Sequence, residues 1–327
     1  MKRFLLVILL VAFCFCFTSF ASAASKSLKI AMVFSTPLEE PWASVVHKAL
    51  LKAQKELSVT YHFTENVNPS DYERVLREYS ERGYDIIFID AYGNEEASRR
   101  VAKDYPEIPF VGGSGLAPTE PNFSVFQSEI HEPLFLSGMI AGKITKTNIL
   151  GAVAAIPVPD INRAVNAFRA GAREVNPNVV VKVTFVGSFF DPPKTKEAAI
   201  AQIEAGADIL FAERYGVIDA CEKKGVFAIG NYQDQNFLAP KTVLTSAEWD
   251  MWPTVKKVIE DVRAKQYRSM DYSPWSFMAK GGAHLAPFHG LKGSIPDEVK
   301  QLVKEKEKEI MEGNFKVPYD STQPKTD

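Results

Sequence analysis

Cysteine is nearly missing: the 327 residues contain 3, and Cys14 and Cys16 fall inside the apolar opening run, which leaves Cys221 alone beyond it. A single thiol excludes an intramolecular disulfide in the processed chain. It follows Gly216, Val217 and Ile218 in a helical pattern, the setting of a small buried core residue rather than a reactive thiol. Histidine is scarce as well. His47, His62, His131, His284 and His289 show no HExxH or other metal spacing, and only His284 and His289, around Pro287, could share an ion, so no metal is expected. There is no phosphate loop of the Walker type and no Gly-x-Ser-x-Gly elbow. Gly113-Ser114-Gly115 follows a strand, but Pro118 and a missing third glycine spoil a dinucleotide fingerprint. The carboxylates never resolve into a catalytic pair, so neither an enzyme nor a cofactor is expected. Charge of one sign is also lacking: a formal net charge of −2 gives no reason to expect nucleic acid or an anionic membrane surface as a partner. No second long apolar run follows the first, so the processed chain should not span a membrane.

What is present begins with an export signal over residues 1–24. Lys2-Arg3 forms a charged start, Phe4 to Phe20 an apolar run, and Ala21-Ser22-Ala23-Ala24 a small-residue cleavage site, with cleavage expected after Ala23. A membrane anchor is the alternative reading of the run, and the cleavage site argues against it. A lipid anchor is not expected either, because Cys14 and Cys16 each follow a phenylalanine where a small residue is needed. The expected location is the periplasm. There an α/β protein cannot rely on cytoplasmic ATP or NAD.

The remainder has the composition of a soluble globular protein, 46% hydrophobic and 24% charged. Its length suits two lobes of about 100–150 residues each. Short apolar runs alternate with amphipathic helices, twice over. Ile30–Phe34, Tyr61–Phe63, Ile86–Ile89, Pro109–Gly112 and Ser124–Gln127 read as strands of the first unit, with helices at Pro41–Glu56, Ser70–Arg82, Glu95–Asp104 and His131–Thr145. In the first helix Trp42, Val45, Val46, Ala49, Leu50 and Ala53 share one face. Ser70 with Glu73 reads as a capping box. The second unit has strands at Ile149–Ile156, Val179–Val186, Ile209–Ala212, Phe227–Gly230 and Val243–Thr245, with helices at Asn162–Glu174, Pro192–Ala205 and Val217–Lys224. Asp191 before Pro192-Pro193 is a helix cap. Farther on come a helix at Met251–Gln266, a β segment at Tyr272–Met278 and Ala283–Pro287 turned at Gly281-Gly282, and a charged helix at Pro296–Glu312. The expected fold class is α/β: two doubly wound, Rossmann-like lobes joined by a hinge. Lobe 1 is expected over 28–145 plus 248–270, lobe 2 over 146–247 plus 271–318, and 319–327 as a disordered tail.

In such sheets ligands bind outside the carboxyl ends of the strands, and two facing lobes share one cleft. The candidate ligand-binding residues are those the strand ends deliver: Trp42 and Glu40 after the first strand, Tyr92, then Glu213 and Tyr215, Asn231 and Asp234, and Trp249. Flat rings beside amide and carboxylate groups suit a planar heterocycle, for which stacking contributes about 1–3 kcal/mol per base. Each residue also has a purely structural reading. Trp42 can pack its helix on the sheet, and the loop carboxylates can cap helices.

Several segments, in this order and spacing, carry a resemblance: Lys29–Phe34 with the loop to Trp42, Val186–Pro192, Gly225–Gly230 with Asp234-Gln235, Leu244–Ser246, and Ile295–Val299. Over nearly the whole processed chain the sequence resembles the basic membrane protein family of ABC-transporter substrate-binding proteins, related to bacterial purine nucleoside receptors. The resemblance implies a type I periplasmic binding protein that closes on a purine and delivers it to an ABC permease and its ATPase, with an aromatic of the first helix, here Trp42, stacking on the ring. It also implies two departures. Where the nucleoside receptors place an aspartate that holds ribose hydroxyls, this chain has Tyr232, and where they carry a lysine after Leu-Thr-Ser it has Trp249. A site that leaves sugar hydroxyls unpaired rejects the sugar. The expected ligand is therefore a free purine base such as adenine, guanine or hypoxanthine, stacked by Trp42 with Tyr215 or Trp249 on its other face. The alternatives are a nucleoside, a sugar or a signal read by a sensor partner, and, from another class, an exported nucleoside hydrolase.

Overall fold

The computed structural model describes residues 27–289, 291 and 294–327. The export signal expected over residues 1–24 lies outside the described residues. The first half of the chain forms β1 (Lys29–Val33), α1 (Pro41–Glu56), β2 (Thr60–Thr64), α2 (Pro69–Glu81), β3 (Ile86–Asp90), α3 (Glu95–Asp104), β4 (Phe110–Gly113), β5 (Phe123–Phe126) and α4 (His131–Ile144). The second half continues with β6 (Ile149–Ala154), α5 (Pro159–Val175), β7 (Val180–Phe185), α6 (Pro192–Glu204), β8 (Ile209–Ala212), α7 (Val217–Lys224), β9 (Phe227–Tyr232), β10 (Val243–Trp249), α8 (Trp252–Arg263), β11 (Ala283–Leu285) and α9 (Asp297–Met311). Among these described residues no helix is long and apolar enough to cross a membrane.

The strands make two sheets, ordered β2-β1-β3-β4-β5 and β11-β10-β9-β8-β6-β7. Pairing is parallel throughout, except that β11 runs antiparallel to β10. Side chains alternate between the faces of a strand, and helices cover both. In β1, Ile30 and Met32 enter one apolar core while Ala31 and Val33 enter another. Each sheet is doubly wound, so the chain is an α/β protein of two Rossmann-like lobes. The order reverses at β1/β3 in the first sheet and at β6/β8 in the second, and these switch points are where such sheets open a crevice for ligand.

Several expectations need correction. Helix α4, assigned from sequence to the first lobe, packs on α5, α9, β10 and β11 of the second. Two glycines make that contact possible: a Cβ at Gly171 would lie 1.9 Å from the Phe135 carbonyl oxygen, and one at Gly138 would lie 2.1 Å from that of Phe168. Replacing Gly171 by alanine should force these helices apart and destabilise the fold by about 1–3 kcal/mol, read as a lower urea midpoint. Helix α2 begins one residue earlier than expected, with Asn68 at the cap position and Pro69 next, so Ser70 and Glu73 form no capping box. Residues 273–280 form short 3₁₀ turns rather than a strand. Just before them, Val125 donates its N–H to the Met270 carbonyl and its carbonyl accepts from the Tyr272 N–H, adding this segment to the open edge of β5.

The tail, expected to be disordered, covers the β7 edge of the second sheet. Asp327 Oδ2 accepts from the Val181 N–H at 2.8 Å and from Arg173 at 2.7 Å, and Thr326 Oγ1 accepts from the Val183 N–H. Farther back, Asn166 donates to the carbonyls of Asp320 and Thr322, and the Tyr319 hydroxyl donates to the buried Glu129 at 2.9 Å. An uncovered edge strand such as β7 offers unpaired backbone groups, and the tail takes them up. Other expectations agree with the structure. Asp191 caps α6 through the Lys194 N–H. Cys221 is fully buried, and burial pushes its thiol up to about 12, which keeps it protonated and inert.

Candidate functional site

The carboxyl ends of β1 and β3 meet at Tyr72, whose buried hydroxyl donates to the Val33 carbonyl at 2.7 Å and accepts from the Asp90 N–H at 2.9 Å. After β1 the chain turns through Ser35 and Thr36 to Glu40. Glu40 caps α1 by accepting the Ala43 N–H at 2.8 Å, with Pro41 in the first turn. That cap fixes Trp42 at the opening of the helix, where its largely buried ring lines part of the space between the lobes.

There a cavity of about 490 Å³, counting its open mouth, is lined by Ser35, Thr36, Glu40, Trp42, Asp90, Tyr92 and Ser114 from the first lobe and by Asp160, Phe189, Arg214 and Tyr232 from the second. Four of the eleven lining residues are aromatic, and they come from both lobes. Tyr92 and Phe189 meet edge to face across the cleft, their centroids 5.1 Å apart.

The electrostatics are acidic. Asp90 stands at the end of β3, and burial pushes its carboxyl up to about 7, against the hydrogen bonding of Ser35 and with help from the Glu40 charge. The Arg214 guanidinium is almost wholly enclosed. It forks onto Glu213, with Nε to Oε2 at 2.8 Å and Nη2 to Oε1 at 2.6 Å, and its Nη1 donates to Glu40. Against the cost of burial, the two carboxylates hold Arg214 above its ordinary range and therefore charged, and Arg214 in turn opposes the upward push that burial gives Glu213. The indole Nε1 of Trp42, one of the lining residues, is buried with no hydrogen-bond partner.

Of the residues expected from sequence, the structure brings Glu40, Trp42 and Tyr92 together at this cavity and places the others elsewhere. Trp249 is 3% exposed, lies behind Trp42 in the core and donates its indole N–H to Ser276 Oγ at 3.1 Å, so it does not form a wall. The reason is its position on β10, whose side chain at 249 faces the apolar layer beneath α1. Trp42 itself packs on Phe126, parallel to within 3° at 6.0 Å, and on Trp249 at 6.0 Å. Tyr215 lines a separate cavity with Pro192, Pro193 and Leu238, and its hydroxyl accepts from Gln233 at 2.9 Å. Glu213 is buried behind Arg214. Asn231 is buried too, donating to the Glu213 carbonyl at 3.2 Å, with its own Oδ1 unmatched. Asp234 pairs with His289 and caps the following turn through the Asn236 N–H, outside the cavity. His284 pairs instead with Glu248 at 3.4 Å, so the two histidines turn to different carboxylates.

The residues the sequence reading passed over are Asp90, Ser114, Asp160, Phe189, Arg214 and Tyr232, with Ser35 and Thr36. All but Asp160 lie at or just after a strand end, the same signal that singled out Tyr92. Asp160 sits in the first turn of α5, where a carboxylate is favoured by the helix dipole. Tyr232, noted only as a replacement for an aspartate, has a φ of +62°, a left-handed backbone that turns its ring into the cleft.

The chain is similar to known proteins along most of its length. The family model described as ABC transporter substrate-binding protein, PnrA-like, matches residues 27–318. The sequence is 31% identical over 304 residues to the purine-binding protein of Brucella abortus, covering 90% of this chain and 84% of that one. It is 32% identical over 257 residues to a Haloferax volcanii ABC transporter protein with a provisional glucose-binding assignment, covering 78% of this chain and 64% of that one. Among solved structures, an ABC transporter solute-binding protein of Aeropyrum pernix shares the fold with a TM-score of 0.75 at 21% identity, covering 90% of this chain and 94% of that one.

Proposed function

Because the chain belongs to the PnrA-like family of ABC transporter substrate-binding proteins, we propose that it captures a free purine base outside the cytoplasm and hands it unchanged to an ABC permease. The observation that carries this reading is that two residues lining one cavity are Trp42, whose indole N–H has no partner, and Asp90, whose carboxyl burial pushes up to about 7. Both can donate to the ring-nitrogen lone pairs of a purine, and Asp90 can also accept from an N–H of the base. The rings of Tyr92, Phe189 and Tyr232 line the same space and supply flat apolar surface for the heterocycle. The Brucella relative is named for purine binding, and the sequence replaces the residue that holds ribose in the nucleoside receptors with Tyr232.

The mechanism is a shift of population. A guest that touches Asp90 and Tyr92 on one lobe and Phe189 and Tyr232 on the other gains those contacts together only when the cleft is shut, so it favours the closed form. The charges set what may enter. Glu40, Asp90 and Asp160 line the cavity, and the one guanidinium among them is already committed to Glu213 and Glu40. Among the described residues lining the cavity, a phosphate would find no free cation. The Haloferax relative supports a second reading, a hexose held by the hydroxyl and carboxylate groups of Ser35, Ser114 and Asp160.

Calorimetric titration with adenine, adenosine, adenosine monophosphate and glucose separates these readings. Adenine should bind at least tenfold more tightly than adenosine, the monophosphate should not bind, and glucose should bind weakly or not at all. Tighter binding of adenosine or of glucose would end the free-base reading.

A further inference from the structure

Among the described residues one ion pair crosses the cleft, and it joins two side chains that are each 4% exposed, Glu40 of the first lobe and Arg214 of the second. We propose that this pair is a closure latch, which draws the lobes together before a ligand arrives and so raises the affinity for one. The proposal rests on the binding-protein reading above and makes Glu40 and Arg214 positioning residues rather than readers of the guest.

The geometry divides the work on each side. Arg214 gives Nε and Nη2 to Glu213 within its own lobe, where Glu213 is held in turn by the Ala155 N–H at 3.0 Å. That leaves Nη1 aimed across the cleft, beside the Phe189 carbonyl at 3.4 Å. Glu40 gives one oxygen to the Ala43 N–H at the start of α1 and the other to Arg214. Both groups are therefore oriented by their own lobes whether or not the cleft is closed, so forming the bridge freezes little additional motion. Opening separates a guanidinium from one of its two carboxylates and leaves the rest of each lobe's network intact. A further polar contact across the cleft, Lys48 to Gln233 at 2.7 Å, lies on the exposed rim, where it is screened by salt and water.

The latch can be tested without any ligand. Glu40→Gln keeps a side-chain oxygen for the Ala43 N–H, so α1 remains capped, but removes the charge that faces Arg214. Glu39→Gln removes the same charge one residue away, at an exposed position, and is the control. Small-angle scattering of the unliganded proteins should show a larger radius of gyration for Glu40→Gln than for the parent and for Glu39→Gln, with matched thermal unfolding. Affinity for adenine should fall about tenfold in Glu40→Gln and stay within about twofold in Glu39→Gln, because the apparent affinity scales with the closed fraction. Identical scattering from all three proteins would overturn the latch. If adenine binds none of them, the purine reading fails while the scattering difference still decides the latch.

Discussion

Trp42→Ala should abolish measurable purine binding and lower the unfolding free energy by about 3–5 kcal/mol, the usual cost of deleting a large aromatic from a packed core. Both effects follow from one placement. The indole is 8% exposed, packed on Phe126 and Trp249, and it also lines the cavity. Gly113 marks how closely the backbone approaches, since a Cβ there would lie 2.4 Å from the Trp42 ring. Truncation opens a hole between α1 and the sheet and removes the unmatched N–H from the site. Trp42→Phe divides the two effects. Phenylalanine keeps most of the packing but has no N–H, so stability should fall by about 1–2 kcal/mol while affinity drops about tenfold, the scale of one lost hydrogen bond in a desolvated site. Urea unfolding and calorimetry on both variants check this. A Trp42→Phe protein with full affinity would show that the indole N–H does not read the ligand.

Affinity should also depend on pH, and in one direction. Burial pushes the Asp90 carboxyl up to about 7 in the unliganded protein. If its proton is donated to a ring nitrogen, the complex holds that proton more firmly than the free protein does. Binding is then constant below about pH 7 and weakens tenfold per pH unit above it, about a hundredfold by pH 9. Asp90→Asn, which donates an amide N–H at every pH, should flatten the profile. Stability has the same sign. Between an ordinary carboxyl pKa of about 4 and the raised value near 7, the folded protein holds a proton on Asp90 that the unfolded chain has released. Stability therefore falls as pH rises through this window, by about 2–4 kcal/mol for Asp90, and thermal unfolding at pH 5 should occur at higher temperature than at pH 8.

Much of the architecture was legible in the sequence because it depends on short-range pattern. Apolar runs such as Ile86–Ile89 and Ile209–Ala212 lie in the strands β3 and β8, and the amphipathic face of Pro41–Glu56 is the buried face of α1. What failed depends on contacts distant in the chain. α4 carries an apolar surface all round, so periodicity could not say which lobe it covers, and the answer lies in Gly138 and Gly171 meeting carbonyls of the facing helix. The tail from Tyr319 onward has the composition of a loose end, yet it is held by Arg173, Asn166 and the edge of β7, which no local signal announces. The site divides along the same line. Strand-end reasoning brought Glu40, Trp42 and Tyr92 to the cavity, the first two because the Glu40 cap fixes the opening of α1 beside the carboxyl end of β1. On the second lobe it favoured Glu213, Tyr215 and Asp234 over their neighbours Arg214 and Tyr232. Which of several adjacent loop residues faces the opposite lobe is decided by the hydrogen bonds of the others: Glu213 turns inward to Ala155, Tyr215 sideways to Gln233 and Asp234 outward to His289.

A crystal structure of the protein grown with adenine tests the central claim most directly. The base should lie between the lobes, with a ring nitrogen within hydrogen-bond distance of Trp42 Nε1 or of the Asp90 carboxyl and its faces against rings from both lobes. A base bound elsewhere, or a cavity filled by a different solute that adenine fails to displace, would contradict it.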